Sequence, residues 1–197
     1  MTAMAERGSS RLSVDMFERI AEFAEREDET VRFEFINGRI GLRKPADGNH
    51  GAIIMCLVRQ CMQARPDLDL SPVQGLKAES YRKGRALPDA VLAPVAHFAG
   101  QGDWADTRGV LMTVEVTSFD ADTHDRDRVE KPQAYAESGI PVHLLIDRDR
   151  RSVLVHSDPD PLVGYRNVQK RQVGQRVALP EPVAIEFDTE ELKPYMD

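Results

Sequence analysis

The segment Val110–Val116 constrains the fold of this chain more than any other part of the sequence. It reads Val-Leu-Met-Thr-Val-Glu-Val, which is almost continuously apolar and rich in β-branched residues. A strand of this kind is typical of the centre of a sheet that is covered on both faces. We therefore expect a buried central sheet with other elements packed against it. Glu115 is the one charged residue in the segment, and its position needs an explanation.

Helical and strand patterns alternate around this segment. A helix is predicted from the N-cap Ser13 to about Glu27, and a second helix from Gly48 to about Ala64. The dipeptide Asn37-Gly38 predicts a tight hairpin between two short strands. The remaining predicted elements are a strand at Asp89–Ala93, a helix at about 123–138 that ends at Gly139, and strands at Val142–Asp147, Ser152–His156 and Gly164–Gln169.

These patterns predict one α/β (α+β) domain in which helices flank a mixed central β-sheet. We expect residues 1–12 to form a flexible N-terminal tail and residues 13–180 to form the single domain. Residues 181–197 are expected to add a covering strand and a tail.

Charge and composition exclude several classes of protein. A net charge of -7 argues against a non-specific coat for nucleic acid, because that function needs an excess of Lys and Arg. No apolar run approaches the roughly 20 residues needed to cross a bilayer, and the first residues lack the apolar region of a secretory signal. We therefore expect a cytoplasmic protein. Cys56 and Cys61 are expected to be reduced core residues.

Two acidic residues occupy positions that folding alone would fill with apolar residues. Asp89 begins an apolar strand, and Glu115 lies in the most hydrophobic one. Burying an unpaired charge costs several kcal/mol, so each carboxylate needs a partner. One interpretation is a structural ion pair with an arginine at each site. The other is a divalent cation shared by both, because Mg²⁺ is usually held by one or two carboxylates.

Several short motifs, taken in order, resemble a known family. They are Phe33-Glu34 followed by Asn37-Gly38, His50 at a helix start, Pro88-Asp89, Glu115-Val116-Thr117-Ser118, Lys131-x-x-x-Tyr135 and the strand Val142–Asp147. This order is similar to that of the Uma-two family of restriction endonuclease-like proteins, within the PD-(D/E)xK nuclease superfamily. The resemblance covers about residues 13–157 and implies a restriction endonuclease-like core.

The resemblance assigns a role to several residues. Asp89 matches the motif aspartate, Glu115 the second acidic residue, and Glu34 an additional carboxylate on the first strand. These three are the implied ligands of Mg²⁺ or Mn²⁺. Glu34 could bind the same metal ion, a second one or a metal-bound water.

The lysine of the superfamily motif is displaced in this sequence. The position two residues beyond Glu115 is Thr117, so the resemblance implies that Lys131, on the following helix, is the substitute. On one continuous helix, Asp127, Lys131 and Tyr135 would stack on a single face. Pro132 disfavours helix at Lys131 and can shift or kink that helix, which leaves the direction of the lysine open.

The other candidate residues carry two interpretations each. His50 at a helix start can contact phosphate or a carboxylate, or serve only as a hydrogen-bonding residue. Tyr135 is expected to be a packing residue with a satisfied hydroxyl rather than a nucleophile. Two basic clusters can meet phosphates or form ordinary solvated surface: Arg82, Lys83 and Arg85, and then Arg166, Lys170, Arg171 and Arg176.

The resemblance implies a metal-dependent endonuclease that hydrolyses DNA, with Asp89, Glu115 and Lys131 as its catalytic residues. The alternative is a nuclease-like domain that has lost turnover and binds nucleic acid or a protein. The missing strand lysine and the excess of acidic residues motivate this alternative. A homodimer is expected for a nuclease that cuts both strands of a duplex.

Overall fold

The computed structural model describes residues 12–43, 45–72, 74–78, 84–117 and 126–197. The predicted tail at residues 1–12 therefore lies outside the described residues, except for Leu12. The basic residues Arg82 and Lys83 also lie outside them.

The chain begins with helix α1 (Val14–Glu27) and a hairpin of β1 (Arg32–Ile36) and β2 (Arg39–Arg43). The Ser13 hydroxyl accepts a hydrogen bond from the Met16 backbone N–H at 3.2 Å, which caps the helix as predicted. Asn37 and Gly38 both have positive φ angles, which a two-residue type I′ hairpin turn requires. The backbone twist of this turn matches the right-handed twist of the flanking strands.

The remaining elements follow in chain order. They are α2 (Gly48–Ala64), β3 (Leu68–Pro72), β4 (Gly75–Leu76), β5 (Ala90–Pro94), β6 (Trp104–Ala105), β7 (Met112–Val116), a π-helical turn (Arg126–Glu130), α3 (Lys131–Glu137), β8 (Val142–Asp147), β9 (Ser152–Asp160), β10 (Gly164–Gln172), β11 (Arg176–Ala178), β12 (Glu186–Asp188) and a 3₁₀ segment (Thr189–Tyr195). None of the described helices is long and apolar enough to cross a membrane.

Six strands form the central mixed sheet in the order β10-β9-β8-β7-β5-β3. The pair β7–β8 is parallel, and every other neighbouring pair in this sheet is antiparallel. The apolar segment at 110–116 thus contributes a central strand, as its composition predicted. The predicted fold class, helices flanking a mixed sheet, is confirmed.

Helix α2 covers one face of the sheet. Its side chains Ile53, Ile54 and Leu57 belong to the main hydrophobic cluster together with Met112, Val114 and Val116 of β7. The predicted covering strand corresponds to β12, whose Phe187 joins the same cluster. Both cysteines are buried here with free thiols, as expected.

The other face of the sheet is covered by α3 and the N-terminal elements. Tyr135 and Ile140 pack there with Val91 of β5 and Ile36 of β1. Because side chains alternate along β7, Val114 faces α2 while Thr113 and Glu115 face α3. This alternation directs the charged side chain of Glu115 toward the helix that carries Lys131.

Candidate active site

The two unusual carboxylates lie at the same end of the central sheet. Strands β5 and β7 are antiparallel, so the start of β5 lies beside the end of β7. The Asp89 backbone N–H donates to the Val114 carbonyl at 3.0 Å, and the Val116 N–H donates to Asp89 Oδ2 at 2.7 Å. The strand pairing itself therefore brings Asp89 next to Glu115, although 26 residues separate them.

Lys131 lies over Glu115 and contacts three carboxylates. Its Nζ is 2.9 Å from Glu115 Oε2, 3.3 Å from Glu34 Oε2 and 3.3 Å from Asp127 Oδ1. All four side chains are almost completely buried. The structure thus brings Lys131 together with three of the carboxylates that the sequence singled out.

The π-helical turn explains how Lys131 can point into the site although Pro132 follows it directly. The wide turn at Arg126–Glu130 ends just before Lys131, and Pro132 sits in the first turn of α3, where its missing N–H costs little. Asp127, Lys131 and Tyr135 remain on one face, and the Tyr135 hydroxyl donates to Glu115 Oε1 at 2.6 Å. π-turns of this kind occur frequently at functional sites.

Asp89 is held by three donors. Arg43 Nη2 lies 2.6 Å from its Oδ1, His50 Nε2 lies 3.0 Å from its Oδ2, and the Val116 N–H reaches the same Oδ2. Burial opposes ionisation of Asp89, but the His50 hydrogen bond and the Arg43 charge outweigh it and lower the pKa of Asp89 to about 2. Asp89 is therefore a permanent anion near neutral pH. Asp47 caps α2 by accepting from the His50 N–H at 2.7 Å, which positions that histidine.

Glu34 reaches the site from the separate hairpin. Its Oε2 accepts from the Leu87 N–H at 3.3 Å, and Arg126 Nη1 lies 3.4 Å from its Oε1. Gly41 pairs with Glu34 across the hairpin, and a Cβ added there would lie 1.4 Å from Arg126 Nη1. The absence of a side chain at Gly41 therefore gives the Arg126 guanidinium its space.

The site contains more negative charge than its lysine balances. Burial raises the pKa of Glu115 well above its usual value, and the charges of Asp89, Asp127 and Glu34 raise it further against the attraction of Lys131. Burial likewise raises the pKa of Asp127. Burial alone would lower the pKa of Lys131, but Glu115, Glu34 and Asp127 raise it well above its usual value. Lys131 is therefore a fixed positive charge and cannot accept a proton near neutral pH.

These side chains line a cleft of about 120 Å³ at the end of the sheet. Its carboxylate oxygens are of the ligand type that Mg²⁺ and Mn²⁺ prefer. Among the described residues, no three His, Cys, Asp or Glu side chains converge closely enough to hold a metal ion together. Asp89 and Glu115 are the two carboxylates that could hold such a cation together with water, since Mg²⁺ is usually bound by only one or two carboxylates.

Sequence reasoning missed three arginines, two that line this cleft and one that contacts Glu34. Arg43 also donates to the carbonyls of Leu87 and Pro88, at 3.0 and 2.9 Å, and so fixes the segment before Asp89. Arg126 contacts Glu34, and Arg148, at the end of β8, lines the cleft wall. A sequence signal exists for Arg126 alone. The glycine at position 41, opposite Glu34, leaves space for its guanidinium, but this can be recognised only when the register of the hairpin is known.

Thr117 occupies the place of the missing strand lysine and has a structural contact. Its hydroxyl accepts a hydrogen bond from the Arg148 backbone N–H at 2.9 Å. The side chain is buried and does not line the cleft. The only cationic side chain in contact with Glu115, among the residues described, is that of Lys131.

Comparisons with known proteins bear on the family and the fold of the chain. A family model described as "Putative restriction endonuclease", Uma2, matches residues 14–190. No curated protein matches the chain. Among solved structures, a putative nuclease belonging to DUF820 from Anabaena variabilis ATCC 29413 is similar, with a TM-score of 0.72 and 16% identity. The match covers 94% of this chain and 99% of that chain, and at this identity it supports the fold alone. The chain belongs to the Uma2 family of putative restriction endonucleases, as its sequence motifs predicted.

Proposed function

We propose that this protein is a divalent-metal-dependent endonuclease that hydrolyses phosphodiester bonds of DNA. The observation that supports this most strongly is that Glu34, Asp89, Glu115 and Lys131 line one polar cleft, in which Lys131 contacts Glu34 and Glu115. Membership of a family described as restriction endonucleases supports the same reaction class.

In this proposal Asp89 and Glu115 hold Mg²⁺ or Mn²⁺, and Glu34 contacts the same ion, a second ion or a bound water. When bound, the metal would polarise the phosphate and lower the pKa of a coordinated water. Asp89 suits this role because its low pKa keeps it ionised. Glu115 suits it because added positive charge relieves the repulsion among the buried carboxylates.

Lys131 supplies a fixed positive charge rather than a base. Its ammonium, 2.9 Å from Glu115, can orient the attacking water and stabilise charge that develops on the phosphate. His50 and Arg43 keep Asp89 oriented, and Tyr135 fixes Glu115 through its hydroxyl. These residues preorganise the site without touching the substrate.

Plasmid nicking tests the proposal. Purified protein is incubated with supercoiled DNA and Mg²⁺ or Mn²⁺, beside Asp89→Asn and Glu115→Gln variants, which preserve side-chain shape. We expect cleavage by the wild type and at least a 100-fold loss in each variant, since each removes a ligand charge. Arg59→Gln, an exposed change on α2, is the matched control. Equal cleavage by wild type and both variants would refute the assignment.

One observation favours a second function, a nuclease-like domain that binds without turnover. Both oxygens of Asp89 already have protein partners, and Lys131 is held by three carboxylates. Calorimetric titration with Mn²⁺ separates the two functions. An endonuclease binds the ion in the wild type and loses this binding in Asp89→Asn, whereas the binding module takes up no ion at this site.

We further propose that the active form is a homodimer, since two-fold related sites cut both strands of a duplex. Light scattering after size exclusion tests this directly. A monomer at the concentrations that support double-strand cleavage would refute it.

A further inference from the structure

The end of the sheet that carries the cleft also carries exposed cations, among them Arg150, Lys170 and Arg171. The pairing β7–β8–β9–β10 places Glu115, Leu145, Leu154 and Lys170 in one row across four strands. The next row runs Val116, Ile146, Val153 and Arg171. Lys170 and Arg171 therefore lie level with the cleft, three strands away, with Lys170 on the face of Glu115 and Arg171 on the face of Val116.

Arg150 occupies the turn between β8 and β9 at this same end. The Val173 N–H donates to the Arg151 carbonyl at 3.0 Å, so the turn packs against the end of β10. The Arg150 side chain is 53% exposed and lies 3.7 Å from Asp147, a carboxylate that Arg128 already binds at 2.8 Å. The charge of Arg150 is therefore only partly balanced.

Arg150, Lys170 and Arg171 are called the basic rim below. All three are exposed, and Arg171 donates to the carbonyl of its neighbour Lys170 at 3.1 Å rather than to an acid. Two other exposed arginines of these strands and turns instead form close ion pairs. Arg151 pairs with Asp197 at 2.8 Å, and Arg166 pairs with Asp160. The basic rim thus groups three exposed positive charges on a chain whose net charge is -7.

We propose that the basic rim binds the phosphate backbone of duplex DNA on one side of the cleft. This inference rests on the proposed function, because it places the scissile phosphate at Asp89 and Glu115. Three strand spacings separate Glu115 from Lys170, about 14 Å in total. Since B-DNA has one charge per about 3.4 Å of axis on each strand, the contacted phosphates lie about four nucleotides from the cleft.

The basic rim also explains how a protein with a net negative charge can bind DNA. Phosphate contacts position the duplex without reading its sequence, and a few lysines and arginines suffice when they lie beside the site. The rim lies on the edge strand β10, where charged side chains also discourage pairing with other strands. Its affinity for DNA is expected to depend steeply on salt.

Fluorescence anisotropy with a labelled duplex tests the rim in the Lys131→Met background, which keeps both proposed metal ligands but not the fixed cation. The titration is made in Mg²⁺ at several salt concentrations, with and without the triple change Arg150→Gln, Lys170→Gln and Arg171→Gln. Losing three phosphate contacts lowers the slope of log K against log salt by about 2.7. Between 50 and 200 mM salt the parent then loses about 40-fold more affinity than the triple variant.

A second measurement tests the rim without the Lys131→Met substitution, in case that variant does not fold. In the otherwise native chain, the triple variant is expected to lower kcat/KM for plasmid cleavage and leave kcat at saturating DNA unchanged. Arg59→Gln, an exposed change on α2 outside the rim, is expected to change neither quantity.

The outcomes separate the rim from the catalytic proposal. An unchanged salt slope in the triple variant, or an equal effect of Arg59→Gln, overturns the rim. Duplex binding that depends on the rim in a wild type that cuts no DNA supports the rim and overturns the endonuclease.

Discussion

The hydroxyl of Tyr135 provides a sharp test of the charge at the centre of the site. It donates to Glu115 Oε1 at 2.6 Å, and both side chains are buried. The substitution Tyr135→Phe removes only the hydroxyl, so the buried Oε1 of Glu115 loses this hydrogen bond. A hydrogen bond to an ionised group contributes about 1.5–3 kcal/mol, so we expect a loss of about 2 kcal/mol in the free energy of unfolding.

Tyr165 offers a matched control. Its hydroxyl donates to the neutral Ile140 carbonyl at 2.8 Å, on the same face of the sheet. Tyr165→Phe is expected to cost about 1 kcal/mol, the usual contribution of a neutral hydrogen bond. The two variants thus differ mainly in the charge of the acceptor.

Urea unfolding at pH 8 without divalent metal measures both losses. As the pH falls through the raised pKa of Glu115, the carboxylate gains a proton and its bond to Tyr135 becomes a neutral one. The penalty of Tyr135→Phe is therefore largest at high pH and approaches that of Tyr165→Phe in acid. A smaller loss for Tyr135→Phe than for Tyr165→Phe at pH 8 would show that Glu115 is not an anion.

Three further predictions follow from the same contacts. Lys131→Met leaves the buried carboxylates unbalanced, so it should lower metal-free stability by about 3 kcal/mol and abolish cleavage, with Mg²⁺ restoring part of the stability. Gly41→Ala should displace Arg126 and slow cleavage while changing stability by less than about 1 kcal/mol, because the colliding atom ends a flexible side chain. His143 and His156 are buried with centroids 5.2 Å apart, and burial lowers both pKa values, that of His156 to about 4. The unfolded chain then binds more protons, so stability should fall between pH 6.5 and 5, by about 1.5 kcal/mol for His156.

Each of these three has a direct check. Denaturant unfolding with and without Mg²⁺ measures the Lys131→Met effect, and unchanged metal-free stability would contradict it. Plasmid cleavage and unfolding of Gly41→Ala are compared with wild type, and an unchanged cleavage rate would argue against a role for Arg126. Unfolding of His156→Gln from pH 7 to 5 should show a shallower decline than the wild type, and an equal decline would refute the histidine account.

Much of the fold could be predicted from local sequence. The cap at Ser13, the Asn37-Gly38 turn and the apolar segment at 110–116 each specify their element through nearby residues alone. The family was also predictable, because the order of its motifs is a property of the chain. The strands β9 and β10 extend beyond their predicted ends, since the pairing of long strands depends on partners that local patterns do not reveal.

The candidate site was predictable only in part. Asp89 and Glu115 stood out because charges interrupt apolar strands, and the resemblance added Glu34 and Lys131. The structure brings these four together, whereas their catalytic roles remain a proposal. Arg43 and Arg126 could not be found, because nothing in their local sequence distinguishes them from solvated arginines.

The sequence by itself determined the elements, the buried central strand and the two carboxylates that burial makes costly. Only the tertiary structure decided how those charges are balanced. The register of β5, β7 and the hairpin brings the carboxylates together, and the π-turn before Pro132 directs Lys131 among them. Charge balance is a property of distances between side chains far apart in the chain, and those distances exist only once the sheet and its covering helix have packed.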